Sequence, residues 1–148
     1  MKIIIVTGTP GTGKTKIAKK IAKQLNFRYI NVHNLIKKNK IYDSYDKKRD
    51  CYVVDTKKLN KFLKDLIKKS KKSLVIDSHL SHYLPKKYVN LCIVTKCDIK
   101  ILKKRLEKRK YSKEKIKENL QSEIFNICLN EAKEKKHKIL IIDTTKLN

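Results

Sequence analysis

The chain has 148 residues and a formal net charge of +25, room for one packed domain and not for two. Its longest apolar runs are four or five residues, which excludes a membrane-spanning helix. The four cysteines, Cys51, Cys92, Cys97 and Cys128, are scattered without a CxxC pair, which argues against a zinc site and for reduced thiols.

The N-terminus enters a strand at once, so no secretory signal is read and the cytoplasm is the expected compartment. The basic excess suits nucleic acid, nucleotides or a ribosomal surface. Lysines run along the whole chain, however, and such enrichment equally accompanies life at high temperature. Charge alone therefore leaves direct RNA contact open. Where lysine is the default, the four arginines, Arg28, Arg49, Arg105 and Arg109, mark positions that call for a planar, two-pronged cation.

Ile3-Ile4-Ile5-Val6 is a β-branched apolar run suited to a buried parallel strand. It feeds Gly8-Thr9-Pro10-Gly11-Thr12-Gly13-Lys14-Thr15, which fits the P-loop pattern GxxxxGK[ST] and holds all 3 glycines of the chain. Ile17, Ala18, Ile21, Ala22 and Leu25 then recur at helical spacing. Glycines let the loop turn its N–H groups inward on an anion, and the helix N-terminus adds its dipole. Lys14 is placed to reach the β- and γ-phosphates and Thr15 to ligate Mg²⁺. A strand, loop and helix in this order predict binding of a nucleoside triphosphate.

Phe27 to Val32 reads as a second strand and His33 to Lys40 as a brief helix. Tyr42 to Cys51 reads as a long irregular stretch, too rich in tyrosine and aspartate for plain disorder. From Thr56, the residues Leu59, Phe62, Leu63, Leu66 and Ile67 outline an amphipathic helix. Ser73 to Asp77 is the next buried strand, and Asp77 is the natural Walker B acid, holding Mg²⁺ directly or through water. His79, two residues on, is placed to orient a water or a phosphate. Tyr88 to Thr95 reads as a strand, with Asp98 capping a helix that turns Ile99, Leu102 and Leu106 inward.

Arg105 and Arg109 are four apart on one face of that helix and together could clamp phosphates. A basic hinge from Arg105 to Lys110 then leads into one long helix from about Ser112 to Lys135, with Ile116, Leu120, Ile124 and Ile127 as its apolar stripe. Lys138 to Ile142 is the last strand. Alternating strands and helices predict an α/β fold, a five-stranded parallel sheet with helices on both faces. Its ligands should lie beyond the carboxyl ends of the strands, where the P-loop, Asp77 and the loop after Thr95 would meet. Thr95-Lys96-Cys97-Asp98 matches the guanine-selecting [NT]KxD of GTPases, but Asp77-Ser78-His79-Leu80 lacks the glycine of the accompanying DxxG. A helix cap accounts for Asp98.

The P-loop, Tyr29-Ile30-Asn31-Val32, the YDxYDxxxDC run from Tyr42 to Cys51 with Asp55, and Asp77-Ser78-His79 resemble the adenylate kinase isoenzyme 6 family. So do Arg105-Leu106-Glu107-Lys108-Arg109-Lys110-Tyr111 and Asn119-Leu120-Gln121-Ser122-Glu123-Ile124-Phe125. The resemblance runs in order along nearly the whole chain. It implies one nucleoside monophosphate kinase domain over 1–148, with a monophosphate-binding segment near 31–54 and a small lid near 108–118.

The implied reaction is phosphoryl transfer from ATP to AMP, with tolerance for other monophosphates. ATP would lie on Gly11, Gly13, Lys14, Thr15 and Lys16 with Arg109 on its lid side, and Lys14, Asp77, His79, Arg105 and Arg109 would serve the chemistry. The family also implies ATP hydrolysis and late maturation of the small ribosomal subunit, through transient contact of a pre-ribosomal particle's platform protein. An assembly ATPase with incidental kinase activity, or a kinase of another small metabolite, are the alternatives. The chain departs from the family pattern at Lys16, where a second threonine is common, and at His33-Asn34-Leu35-Ile36-Lys37, which replaces Gly-Asp-Leu-Ala-Arg. Many relatives also continue beyond the last strand into a helix, so one sheet face is expected to be thinly covered.

Overall fold

The computed structural model describes residues 1–147. In chain order it contains β1 (Ile3–Thr7), α1 (Lys14–Leu25), β2 (Arg28–Asn31), α2 (Val32–Asn39), β3 (Ser44–Asp46), β4 (Cys51–Val53) and α3 (Thr56–Lys69). There follow β5 (Leu74–Asp77), short 3-10 turns at Ser81–Tyr83 and Lys86–Tyr88, β6 (Leu91–Lys96), α4 (Ile99–Lys108), α5 (Lys113–Ile124), α6 (Ile127–Glu134) and β7 (Ile139–Asp143).

Among the described residues five strands form one parallel sheet, ordered β2-β5-β1-β6-β7. The chain winds to one side of β1 and then to the other, so the P-loop leaves the sheet at its switch point. Side chains of β1 alternate between two cores, which is why its run is continuously apolar. Ile3 and Ile5 join Leu74, Ile76, Cys92 and Val94 against Leu59 and Leu63 of α3, Ile36 of α2 and Leu129 of α6. Ile4 and Val6 pack with Val75 and Ile93 on Ile17, Ala18 and Ala22 of α1. Leu59 and Leu63 are fully enclosed, each stabilising the fold by about 2 kcal/mol through lost apolar exposure. A third cluster pins Leu102 and Leu106 of α4 to Ile116 and Leu120 of α5.

The structure corrects several expected elements. Tyr42 to Cys51 is not an irregular stretch: β3 and β4 pair antiparallel with Tyr45 opposite Tyr52. Tyr42, Tyr45 and His33 gather round the Tyr52 ring at centroid distances of 4.5, 5.3 and 5.9 Å. Strands of three residues are too short to show a period in the sequence. The strand expected from Tyr88 begins at Leu91, because the turn after Pro85 occupies Lys86–Tyr88.

The long helix expected to Lys135 is broken after Ile124, where Asn126 adopts the left-handed conformation (φ 53°) that asparagine takes at low cost. The stripe breaks with it, leaving Ile124 and Ile127 exposed at 56% and 44%. The hinge is also narrower than expected, since Arg105 lies inside α4. On the edge strand β7, Leu140 and Ile141 stand exposed on opposite faces. No helix among the described residues is long and apolar enough to cross a membrane.

Candidate active site

The P-loop is seated directly on the end of β6. Gly8 has φ +148°, and a Cβ there would meet the Thr95 carbonyl at 2.8 Å. Gly13 starts α1 in the left-handed conformation (φ +86°), and no side chain caps the helix. Its first N–H groups and dipole are thus available to an anion. Thr12 Oγ1 donates to the Thr9 carbonyl at 2.6 Å and meets Thr95 Oγ1 at 2.7 Å. Thr95, near the end of β6, therefore supports the P-loop, and the turn that follows it does not line the cleft.

A buried carboxylate braces the same loop. Glu123, at the end of α5, accepts from Thr9 Oγ1 at 3.0 Å and from the Cys97 N–H at 2.9 Å, and pairs with Lys96 at 2.9 Å. Lys14 Nζ reaches across the loop to the Thr9 carbonyl at 3.2 Å. Burial, ahead of the opposing attraction of Asp77, draws the Lys14 ammonium down to about 8, although the side chain stays half-open to the cleft.

Thr15 Oγ1 donates to Asp77 Oδ2 at 2.7 Å, and the Tyr29 hydroxyl donates to the same oxygen at 2.6 Å. Tyr29 reaches it because β2 lies beside β5, with Asn31 in register with Asp77. Burial, then the bond to Asp77, raises the Tyr29 phenol above its ordinary range, so it keeps its proton and stays a donor. Within the run Tyr29-Ile30-Asn31-Val32 no local pattern assigns Tyr29 this role. Thr15 and Asp77 form a hard oxygen set at a helix start, a donor chemistry that fits Mg²⁺.

Lys14, Thr15, Asp77, His79 and Arg109 all line one cleft of about 880 Å³, together with Gly11 and Gly13. Enclosure by the walls, ahead of the charge of Lys14, holds the His79 imidazole below its ordinary range. The residue is itself open to cleft water. His79 is neutral at neutral pH.

Arg105 does not line the cleft, although its Nη1 meets the Gly11 carbonyl of the P-loop at 3.5 Å. Its Nη2 donates to the carbonyls of Thr144 (2.6 Å) and Leu147 (2.8 Å), and its Nη1 to Thr144 Oγ1 (3.1 Å). Spacing put both arginines on one side of α4, but Arg109 is its C-cap, where the chain departs, and only Arg109 lines the cleft. Lys16 is exposed on α1 and is not part of the lining.

Across the cleft, Arg49 Nε donates to both oxygens of Glu118 at 3.0 and 3.2 Å, while its Nη1 reaches Asp46 at 3.2 Å. Lys115 donates to the Asp50 carbonyl at 3.2 Å. These contacts join the end of the β3–β4 hairpin to α5, and the planar cation expected at Arg49 serves here.

A protein-family model described as an AAA domain matches residues 4–126. Over 142 residues the chain is 43% identical to a Methanocaldococcus jannaschii protein provisionally named adenylate kinase, covering 96% of this chain and 76% of that one. It is 36% identical over 140 residues to the adenylate kinase isoenzyme 6 homolog of Dictyostelium discoideum, covering 95% and 79%. Among solved structures, a shikimate kinase from Acinetobacter baumannii matches with a TM-score of 0.65 at 14% identity, covering 95% of this chain and 83% of that one, a likeness of fold. With its P-loop, its Thr15–Asp77 pair and this similarity along nearly its full length, the chain belongs to the adenylate kinase isoenzyme 6 family.

Proposed function

We propose that the chain is an ATP-dependent nucleoside monophosphate kinase that transfers a phosphoryl group from ATP to AMP. One observation carries the reading: the cleft that holds the P-loop and the Thr15–Asp77 pair is also lined by Tyr45 and Tyr52 of the hairpin. A phosphate loop alone suits any NTPase, whereas a cleft of this size with an aromatic wall has room for a second nucleotide.

Gly11, Gly13, Lys14 and Thr15 would seat the ATP phosphates, and Thr15 with Asp77 would hold Mg²⁺. The metal, when bound, offsets phosphate charge. Lys14 and Arg109 do the same from the protein side, and Lys37, which also lines the cleft, serves the acceptor phosphate as a point charge. The transferred phosphorus exchanges one P–O bond for another, so positioning and charge are what the chain must supply. In this reading residues 31–54 close over the monophosphate and 108–118 over ATP. The test is steady-state ADP formation with ATP and Mg²⁺, alone and with each monophosphate. Fast turnover that requires AMP is expected, and slow hydrolysis indifferent to every monophosphate overturns the reading.

A second reading, ATP hydrolysis in small-subunit maturation, is favoured by the neutral His79 near Lys14 in the same cleft. A neutral imidazole can orient a water for attack. The charge of +25 supports docking on a pre-ribosomal particle in the cytoplasm, with a platform ribosomal protein or RNA as the contact. A His79→Gly variant that keeps AMP phosphorylation and loses hydrolysis would support this role, and equal loss of both would count against it.

A further inference from the structure

One polar chain in the cleft wall is used by nothing described above. The Tyr83 hydroxyl donates to Glu131 Oε2 at 2.5 Å, and His82 Nε2 lies 3.3 Å from Glu131 Oε1. His82 Nδ1 lies 2.7 Å from Thr7 Oγ1, at the end of β1. A carboxylate only accepts, so Nε2 carries the proton, Nδ1 is the acceptor, and the Thr7 hydroxyl donates to it. Burial, ahead of the attraction of Glu131, holds His82 below its ordinary range, so the ring is a neutral donor rather than a counter-ion. His137 Nε2 donates to the His82 carbonyl at 2.9 Å and steadies the turn.

Glu131 is thus gripped from one side by two donors, yet its side chain is 29% exposed. The open part faces the cleft, which Glu131 and Tyr83 both line. Ile36, Val54 and Leu80 line the same cleft and rest on the apolar core beneath it. Apolar wall residues and a firmly held acceptor in one cleft are what a planar base needs for binding and orientation.

We infer that Glu131 reads the base of the acceptor nucleotide and selects one carrying an exocyclic amino group; this rests on the monophosphate kinase reading. A fixed carboxylate rewards an N–H donor on the base. Without that donor the carboxylate must give up cleft water for nothing in return.

The test compares AMP with purine riboside 5′-monophosphate, which lacks the amino group, in the wild-type chain, Glu131→Gln and Glu131→Ala. Both kcat/KM and calorimetric Kd without ATP are measured, with KM for ATP and the melting temperature as controls for folding. The wild type is expected to prefer AMP at least tenfold. Both variants should lose about 10- to 100-fold on AMP with KM for ATP changed less than twofold, so the preference collapses toward one. A preference that survives in both variants, or is absent from the wild type, overturns the inference. If neither monophosphate is phosphorylated by the wild type, the kinase reading fails and the Kd values decide this one. Tighter AMP binding that both variants abolish then supports it, and equal or no binding overturns it.

Discussion

Arg105 grips Thr144 twice, at its hydroxyl (3.1 Å) and its carbonyl (2.6 Å), and Thr144 Oγ1 in turn donates to the Thr12 carbonyl at 2.5 Å. The guanidinium therefore ties the segment after β7 to the P-loop. Lysine keeps the charge but lacks the fork. Arg105→Lys is expected to lower stability by about 1–3 kcal/mol in denaturant melts and to raise KM for ATP several-fold, with kcat little changed. A kcat loss matching that of Arg109→Ala, at unchanged stability, would put Arg105 on the phosphates instead.

Lys14→Ala should lower turnover by about 10²–10³-fold with the melting temperature nearly unchanged, because the side chain reaches over the loop and belongs to neither core. Steady-state ADP formation checks the first part and a thermal melt the second. Unchanged turnover would separate this P-loop from the reaction.

Binding of ATP should take up a proton near pH 8. In the free chain Lys14 titrates at about 8, and phosphate charge favours its ammonium form. Above about pH 8 part of the population must gain a proton on binding, so affinity falls as pH rises through that value. Uptake at pH 8 is about half a proton. Calorimetry in buffers of different ionisation enthalpy measures it, and Lys14→Ala should abolish it. A heat independent of buffer would show that Lys14 is already fully charged in the free chain.

Tyr29→Phe should weaken apparent Mg²⁺ affinity by a few-fold while leaving KM for AMP alone. The variant removes one of the two hydroxyl donors on Asp77 Oδ2 and leaves the carboxylate less firmly aimed. Asp77→Asn, which removes the charge itself, should cost more. Mg²⁺ titrations of activity compare the two, and identical titrations of wild type and Tyr29→Phe would leave the phenol a purely structural donor.

The Arg49–Glu118 contact lies on exposed side chains, so its contribution should be small and fall with salt. Denaturant melts of Glu118→Gln at low and high ionic strength check this. An effect that persists in high salt would point to packing instead of charge.

Local features were legible in the sequence. The P-loop, the acid at the end of β5 and the cap at Asp98, which accepts from the N–H groups of Lys100 and Ile101, each depend on a few consecutive residues. The alternation of strand and helix likewise showed the layered sheet. The β3–β4 hairpin escaped because its strands hold three residues each. The break at Asn126 escaped because the apolar spacing of Ile124 and Ile127 continues across it. Ile124 and Ile127 stand exposed on either side of that break.

By itself the sequence determined the conformation of the P-loop, since glycines, a strand and a helix start specify a loop through neighbouring atoms alone. Only the tertiary structure decided which side chains complete the site. Tyr29 meets Asp77 across 48 residues, Glu123 meets Thr9 across 114, and Tyr83 meets Glu131 across 48. It also sent Arg105 to Thr144 and left Arg109 in the cleft. Such meetings follow from strand order and from where each helix crosses the sheet. Those are set by the burial of whole faces, whereas a hydrogen bond forms only when two atoms come within about 3 Å.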